Sequence, residues 1–170
     1  KYTNRIESMP EIINNYLSPT NFTISIEKLP NVEFFTQKLQ IPDVTATATS
    51  LGTPLSTLYE YGDRLVYGEL TTTMILDENM NNYKEILNWI EGYAAPERST
   101  QNKIYTATGH ESDIIATITN SHKNPNIRFV FKNCFPTSLG GVSLDVNVTD
   151  VAYATTTVTW RYDTFTMEQL

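Results

Sequence analysis

The sequence predicts a mainly β protein with one helix, and two patterns support this fold class. Apolar and polar residues alternate with a period of two in several windows, which is typical of strands that bury one face. Threonine, valine, isoleucine and aromatic residues, which favour strands, are frequent along the chain. One segment, residues 78–91, has helical spacing instead. We therefore expect antiparallel strands around a core, in a sandwich or barrel, with one flanking helix.

The alternating windows extend from the first part of the chain to its end. Their apolar faces are formed by Phe22, Ile24 and Ile26; Leu70, Thr72, Met74 and Leu76; Ile127, Phe129 and Phe131; Val142, Leu144, Val146 and Val148; and Ala154, Thr156, Val158, Trp160 and Tyr162. The strand that begins at Ile127 is expected to end in a Phe135-Pro136-Thr137-Ser138 turn. Residues 142–151 and 154–162 are predicted to be the two strands that follow.

Residues 78–91 predict a helix that covers one side of the β core. Its apolar stripe consists of Met80, Tyr83, Ile86, Leu87 and Ile90, with Trp89 widening the buried face. Asp77 stands where an N-cap is expected and Gly92 where the helix is expected to stop. A weaker helical pattern covers residues 10–16.

Two stretches, residues 45–68 and 94–113, are predicted to be long loops, and loops of this length are often functional. The first contains the strand-like run 55–61 and five large apolar residues that a loop would expose: Leu51, Leu55, Leu58, Tyr59 and Tyr61. Exposed apolar side chains are an aggregation hazard unless something covers them. We therefore predict that these residues contact a neighbouring copy of the chain.

Length and composition favour one domain, and we expect an N-terminal arm at residues 1–20 followed by a single domain at 21–170. The chain has 170 residues and a net charge of −7, which argues against a dedicated nucleic-acid binder. No apolar run is long enough to cross a bilayer, so we expect no membrane anchor. The single cysteine, Cys134, excludes a disulfide within the chain and fits a reducing compartment.

Several residues that often carry chemistry have simpler interpretations, so we expect no catalytic residue, no metal site and no cofactor. The candidates are His110-Glu111-Ser112-Asp113, His122, Cys134, Asp77-Glu78, Gly140-Gly141 and the tyrosines Tyr59, Tyr61 and Tyr67. Adjacent residues seldom form a triad, and the histidine spacing matches no common metal-ligand pattern. A free cysteine is usually buried, paired acids suit a helix N-terminus, and no helix follows the two glycines. The tyrosines lack the basic surroundings of a base-stacking site.

The order of motifs along the chain resembles the tail tube proteins of contractile phage tails. The resemblance covers residues 21–165. It includes the strand after Asn21, the segment 34–42 that ends in a proline, and Tyr61-Gly62-Asp63-Arg64 before a strand that ends at Asp77-Glu78. A helix with a tryptophan near its end follows, and then the Phe-Pro-Thr-Ser segment and the closing strand that ends in Trp160-Arg161-Tyr162. The pieces are weak separately, and their order and spacing carry the resemblance.

The resemblance implies a structural virion protein rather than an enzyme. Its expected partners are copies of itself in stacked homohexameric rings, the tail sheath, and baseplate or tube-terminator proteins. DNA would pass through the lumen without specific binding, in a virion tail assembled in the host cytoplasm. Both the main tube subunit and a baseplate-proximal tube initiator fit the resemblance.

The closing strands are the predicted lumen wall because their second faces are polar throughout. The wall residues would be Asp145, Asn147, Thr155, Thr157 and Thr159. Arg161 is expected to pair with a carboxylate of a neighbouring subunit. Two alternatives remain open at this point: a monomeric ligand-binding β-barrel, of a lipocalin-like or carbohydrate-binding kind, and an enzyme that uses residues 94–113 as a lid.

Overall fold

The structure is a computed structural model that describes residues 16–94, 109–145 and 153–170. In these ranges the chain forms the following elements in order: β1 (Phe22–Ile26), α1 (Pro30–Phe35), β2 (Thr36–Gln40), β3 (Val44–Gly52), β4 (Thr57–Tyr67), β5 (Leu70–Ile75), α2 (Asn81–Ala94), β6 (Ser112–Thr119), β7 (Pro125–Leu139), β8 (Thr155–Arg161) and β9 (Thr164–Gln169). The mainly antiparallel β fold predicted from the sequence is confirmed. None of the described helices is long and apolar enough to span a bilayer.

All strands except β3 and β4 belong to one antiparallel sheet that bends at β7. Residues 125–132 of β7 pair with β6 and β9, and the order β1-β6-β7-β9 is here called sheet A. Residues 135–139 of β7 pair with β8, and the order β2-β5-β8-β7 is called sheet B. Strands β3 and β4 form a separate hairpin.

The bend between the two sheets is centred on Asn133, which has a φ of 56°. Its side-chain amide donates to Asp163 Oδ2 over 2.7 Å, and its backbone N–H donates to Asp113 Oδ1 over 3.1 Å. Asp163 lies between β8, which pairs with β7 after Asn133, and β9, which pairs with β7 before Asn133. The chain therefore passes from one sheet to the other at Asp163, beside the bend in β7. The bend brings the apolar faces of sheets A and B together around one core.

Two tryptophans occupy the centre of this core. Trp160 of β8 and Trp89 of α2 are fully buried and pack edge to face, with ring centroids 5.8 Å apart. Trp160 Nε1 donates to Thr72 Oγ1 over 2.9 Å, and Trp89 Nε1 donates to the carbonyl of His110 over 2.8 Å. Each indole therefore buries its ring without leaving its N–H unsatisfied.

The predicted strands near residues 22–26, 70–76, 127–133 and 154–162 are present, but two details are wrong. The Phe-Pro-Thr-Ser segment is not a turn, because β7 continues through it to Leu139. The register with β8 shifts between Pro136 and Ser138, and this irregularity accommodates the proline within the strand. Residues 142–145 of the predicted strand 142–151 form no strand, and residues 146–151 lie outside the described ranges.

Helix α2 begins later than the sequence predicts and buries only part of the predicted face, namely Ile86 and Trp89, with Ile90 partly buried against the core. It buries Asn82, Ile86, Trp89 and Gly92, whereas Met80 and Leu87 are 38% and 37% exposed. The start is fixed by Asn82, whose side chain donates to the carbonyl of Ile75 and accepts from the N–H of Asp77. Asp77 is therefore not the N-cap, and Gly92 lies inside the helix rather than after it.

Other expectations concern the loops and the arm. Residues 45–68 are not a loop but largely the β3–β4 hairpin. Most of segment 94–113 lies outside the described residues; where it is described, Ala94 ends α2 and Ser112 begins β6. The helix expected at 10–16 falls outside the description except for Tyr16, and the proposed arm 1–20 is described only from that residue. Helix α1 and strands β6 and β9 were not predicted.

Candidate functional site

The β3–β4 hairpin is an independent two-stranded unit inserted between β2 and β5 of sheet B. Its two ends are joined at the base, where the Gly68 N–H donates to the Asp43 carbonyl over 2.9 Å. A bulge places Thr47 opposite residues 62–64. Gly62 is required there because a Cβ at this position would collide with Thr47. The hairpin pairs with no other described strand.

The cross-strand register divides the hairpin into two faces. The aromatic face carries Val44, Ala46, Ala48 and Ser50 opposite Tyr67, Leu65, Tyr61 and Tyr59. The mixed face carries Thr45, Thr49 and Leu51 opposite Val66, Glu60 and Leu58. Small residues on β3 thus lie beside large ones on β4 along one face. That face is suited to receive side chains of another surface.

All five predicted contact residues lie on this hairpin and are exposed. Tyr59 and Tyr61 are 76% and 94% exposed on the aromatic face, and Leu55 at the turn is 99% exposed. Leu51 and Leu58 face each other on the mixed face near the turn. The structure therefore brings these side chains together but distributes them over both faces. Their contact with another copy remains a prediction.

Tyr67 connects the aromatic face to the body of the subunit. Its ring lies 5.6 Å from that of Phe165 and 6.1 Å from that of Tyr162, measured between centroids. Burial raises the pKa of Tyr162 to about 12, with the Asp43 carboxylate a smaller cause. The aromatic face is thus a continuation of the apolar interior beyond the edge of the domain.

A second candidate surface is the outer face of sheet B, here called the hydroxyl face. Thr157 of β8 pairs with Thr73 of β5, which pairs with Lys38 of β2, so these side chains point to the same side. Thr159 pairs likewise with Thr71 and Ser138. Adjacent hydroxyls contact each other, as Thr73 Oγ1 lies 3.4 Å from Thr157 Oγ1. The alternate residues of β8, including Thr156, Val158 and Trp160, are buried in the core.

The predicted wall residues are only partly brought together on this face. Thr155, Thr157 and Thr159 all lie on the hydroxyl face. Asp145 is exposed but lies in no strand, and Asn147 lies outside the described residues. The acidic strand expected beside the threonines is therefore absent where the chain is described.

Charge on the hydroxyl face is sparse. Arg161 and Glu69, at the hairpin end of the face, form a salt bridge of 2.6 Å with both side chains about half exposed. Arg161 is thus paired within its own subunit, and its contact with a neighbouring subunit remains a prediction. Lys38 is a further cation on this face, and it forms no salt bridge with a described carboxylate. Neutral hydroxyls therefore dominate this surface.

The two outermost strands of sheet B each have an edge that pairs with no other described strand. These are β2 on one side and residues 135–139 of β7 on the other. At Pro136 the β7 edge is partly protected, because the proline lacks an N–H and its carbonyl accepts from Tyr93 Oη of α2. The edge of β2 and the rest of the β7 edge remain available to pair with another chain.

The chemical candidates are dispersed rather than gathered into a site. His110 and His122 lie before and after the eight residues of β6, whose length of roughly 25 Å separates them. Ser112 is buried, whereas Asp113 points outward to Asn133. Burial raises the pKa of the Cys134 thiol to about 12, which keeps it protonated. In the described ranges, no three histidine, cysteine or acidic residues lie close enough to hold a metal ion.

Comparisons with known proteins identify one family and several solved structures of similar fold. The model of the phage tail tube protein family matches residues 2–168. A comparison with curated sequences gave no significant match. Among solved structures, a chain in the cap that terminates the tube of the anti-feeding prophage is 17% identical, with a TM-score of 0.67 over 98% of this chain and 99% of that chain.

Two further structures extend the likeness of fold. A chain in the extended sheath–tube complex of an extracellular contractile injection system is 17% identical, with a TM-score of 0.66 over 93% of this chain and 95% of that one. A type six secretion system protein is 11% identical, with a TM-score of 0.51 over 87% and 82% of the two chains. Because the family model covers nearly the whole sequence, the chain belongs to the phage tail tube protein family.

Proposed function

We propose that this chain is a subunit of the inner tube of a contractile tail, assembled as stacked hexameric rings around a central conduit. The observation that carries the proposal is sheet B. It has a polar hydroxyl face, and each of its two outermost strands has an edge that pairs with no other described strand. Joining β2 of one subunit to β7 of the next would satisfy both edges and close the sheets into a barrel. The hydroxyl face would then line the lumen.

Several features support a closed ring over a monomer. The hairpin exposes large apolar side chains that a soluble monomer would leave in water. A related chain lies in a sheath–tube complex, and another in a baseplate structure that was symmetrised six-fold. For this chain we infer the same partners, namely sheath, baseplate and terminator proteins, in a virion tail assembled in the host cytoplasm.

A lumen of this kind suits the passage of DNA. Threonine hydroxyls are neutral, and the Arg161–Glu69 pair cancels its own charge. Lys38 adds one cation per subunit, whereas the chain as a whole carries −7. A nearly neutral wall in an acidic tube gives phosphates few fixed partners, so DNA would slide without specific binding.

The first test is the assembly state of the purified chain, by light scattering and negative-stain electron microscopy. Rings or rods with a central hole are expected. Rods of indefinite length would identify a main tube subunit, and single rings a tube initiator. A stable monomer at high concentration would contradict the proposal and favour the ligand-binding β-barrel instead.

The second test asks which face lines the lumen. Thr157→Cys places a thiol on the hydroxyl face, and Thr23→Cys places one on the outer face of sheet A as a matched control. In assembled rods, a maleimide attached to a polymer too large for the channel should label the Thr23→Cys variant and spare the Thr157→Cys variant. A small maleimide should label both variants. Equal labelling by the large reagent would mean that the hydroxyl face is not the lumen wall.

A further inference from the structure

One strand, β7, connects the body of the subunit to an edge that is available to a neighbour. Residues 125–132 of β7 lie between β6 and β9 in sheet A. Residues 135–139 pair with β8 and with no other described strand. The direction of this outer segment is therefore set where β7 leaves sheet A, at Asn133. A small rotation at that residue moves the whole edge.

Asn133 belongs to a β-bulge. The register between β6 and β7 shifts between Ser112 and Ile114, so that two β7 residues, Lys132 and Asn133, lie opposite Asp113 alone. A bulge of this kind bends its strand and increases the local twist. Asn133 has a φ of 56°, in the left-handed region that asparagine adopts more readily than most residues other than glycine. The residue type thus suits the bend.

Two carboxylates hold the bulge from different sides. Asp113 Oδ1, on β6, accepts from the Asn133 N–H over 3.1 Å, and Asp163 Oδ2 accepts from the Asn133 side-chain amide over 2.7 Å. The Asp163 N–H in turn donates to the Lys132 carbonyl over 3.1 Å. Asn133 is therefore bonded both to sheet A and to the connection between β8 and β9. We call Asn133, Asp113 and Asp163 the corner.

The corner lies at the surface of the subunit. All three of its side chains are exposed, whereas the next residue of β7, Cys134, is fully buried. Loss of the corner bonds would leave no cavity in the core, and solvent would satisfy the freed polar groups. The corner therefore contributes more to the direction of the outer segment than to the stability of the fold.

The angle at the corner matters for ring closure because small rotations change the ring. A six-membered ring turns by about 60° from one subunit to the next and a seven-membered ring by about 51°, a difference of about 9°. From Asn133 to Leu139 the strand extends over about 20 Å, so a rotation of about 9° displaces its end by about 3 Å. That displacement exceeds half of the spacing of about 4.8 Å between paired strands. A loosely held corner could not select one ring size.

We propose that the corner sets the angle at which each subunit offers the edge of β7 to β2 of the next, and thereby fixes the number of subunits in a ring. This inference rests on the tube function proposed above and adds a positioning residue to it. Asn133 is that residue, because it supplies both the bent backbone conformation and the side-chain donor.

An exchange of donor and acceptor tests the role of the corner. Asn133→Asp keeps a residue type that tolerates the left-handed region but sets a carboxylate against that of Asp163. We expect a folded subunit whose melting temperature falls by about 2–4 °C, and rings of mixed size or open arcs in negative-stain class averages. Adding Asp163→Asn restores an amide–carboxylate pair with the roles exchanged and returns the net charge to its original value. Rings of uniform size should return.

The matched control is Asn120→Ala, at the other end of the same pair of strands. Asn120 Oδ1 accepts from the N–H groups of His122 and Asn124 over 2.9 and 3.0 Å, so its loss removes two comparable bonds. This variant should lose a similar few degrees of melting temperature and still form uniform rings. Mixed or absent rings in the control would overturn the inference, because general destabilisation would then explain the loss.

Asn133→Gly keeps the positive φ and removes only the side-chain bond, so it serves if Asn133→Asp does not fold. It should give rings of mixed size. Uniform rings of unchanged size in Asn133→Gly or Asn133→Asp would overturn the inference and leave the tube function intact, as would failure of the double variant to recover uniform rings. Absence of rings in the unmodified chain would overturn the tube function instead.

Discussion

Strands β4 and β5 are separated only by Gly68 and Glu69, yet their large apolar residues are exposed in β4 and buried in β5. In β5, Leu70 and Met74 are fully buried in the core, and the alternate threonines face outward. In β4, Tyr59, Tyr61 and Leu65 share one face and are all exposed. Both strands therefore show amphipathic alternation, but the apolar face of β5 is covered within the subunit. On the aromatic face of β4, Tyr67 at the base packs against the rings of Tyr162 and Phe165, whereas Tyr59, Tyr61 and Leu65 stay exposed. The apolar face of β4 is available to a second copy.

From this difference we expect the chain to be divided into residues that stabilise the subunit and residues that join subunits. Substitutions that remove core side chains from the sandwich, here meaning sheets A and B with their helices, should lower the free energy of unfolding, because they create cavities in a close-packed interior. Substitutions in the hairpin should change association and leave unfolding almost unaffected, because their side chains are already in water.

Removal of the hairpin is expected to have the largest effect, on assembly. Val44 and Tyr67 pair at the base, so residues 45–66 can be replaced by a two-residue Asn-Gly turn between them. Tyr67 keeps its contacts with Tyr162 and Phe165. We expect a folded subunit with a nearly unchanged melting temperature that no longer forms tubes. Calorimetry and light scattering on the same sample measure the two quantities.

The control for this excision is Thr49→Ser, which alters the mixed face without removing apolar area. It should assemble normally. If the excised chain formed tubes, the hairpin would not be an assembly element. If it failed to fold, the hairpin would belong to the core rather than stand apart from it.

Helix α2 offers a sharper comparison within the sandwich, using two neighbouring residues. Ile86 is fully buried, whereas Leu87 is 37% exposed. Ile86→Ala should cost about 2–5 kcal/mol because it leaves a cavity in the core. Leu87→Ala should cost about 1 kcal/mol or less, since the site is near the surface. Urea denaturation of both variants measures the difference, and equal losses would mean that the helix is rotated from the orientation described.

The buried face of α2 shows what a periodic pattern leaves undetermined. The exposed Met80 and Leu87 satisfy helical spacing as well as the buried Ile86 and Trp89 do, so spacing alone cannot select the buried stripe. Hydrogen bonds to residues outside the helix determine which stripe is buried. Asn82 joins the helix start to Ile75 and Asp77, and Trp89 donates to His110. None of these partners is visible as a pattern in the sequence.

Long-range geometry explains the other differences from the sequence prediction. Alternation correctly located β1, β5, β8 and the first half of β7, because each has one face in the core. Strand β9 was not predicted, because Phe165 is its one partly buried residue and Met167 is exposed. The hairpin was interpreted as a loop because glycines and a proline interrupt it. The sequence nevertheless predicts that its apolar residues contact another copy, and this stays a prediction.

A smaller effect is expected from pH, and it concerns the sandwich alone. Burial raises the pKa of Cys134 from 9.0 to about 12, and burial likewise raises that of Tyr162 from 10.0 to about 12. Between pH 9 and 12 the unfolded chain loses these protons while the folded chain keeps them. The free energy of unfolding should therefore fall as pH rises through this range, having been unaffected by these groups below it.

Urea denaturation at several pH values measures this slope. Tyr162→Phe retains the ring and removes a buried hydroxyl for which the structure shows no hydrogen-bond partner. The slope between pH 10 and 12 should become shallower in this variant. Tyr61→Phe, which removes a hydroxyl from an exposed hairpin tyrosine, is the matched control. An unchanged slope in the Tyr162 variant would show that its hydroxyl titrates alike in both states.

The smallest effect is expected at the Arg161–Glu69 salt bridge, which lies at the junction of the two regions. Its side chains are 49% and 47% exposed, so solvent screens the attraction. Arg161→Gln and Glu69→Gln should each lower the free energy of unfolding by no more than about 1 kcal/mol, and less at high salt. A double-mutant cycle in the subunit measures this coupling. A normal melting temperature combined with weakened tubes in Arg161→Gln alone would instead show that the arginine contacts a neighbouring subunit's carboxylate. If both single variants weakened tubes equally, the intact pair would be acting as one unit in the ring.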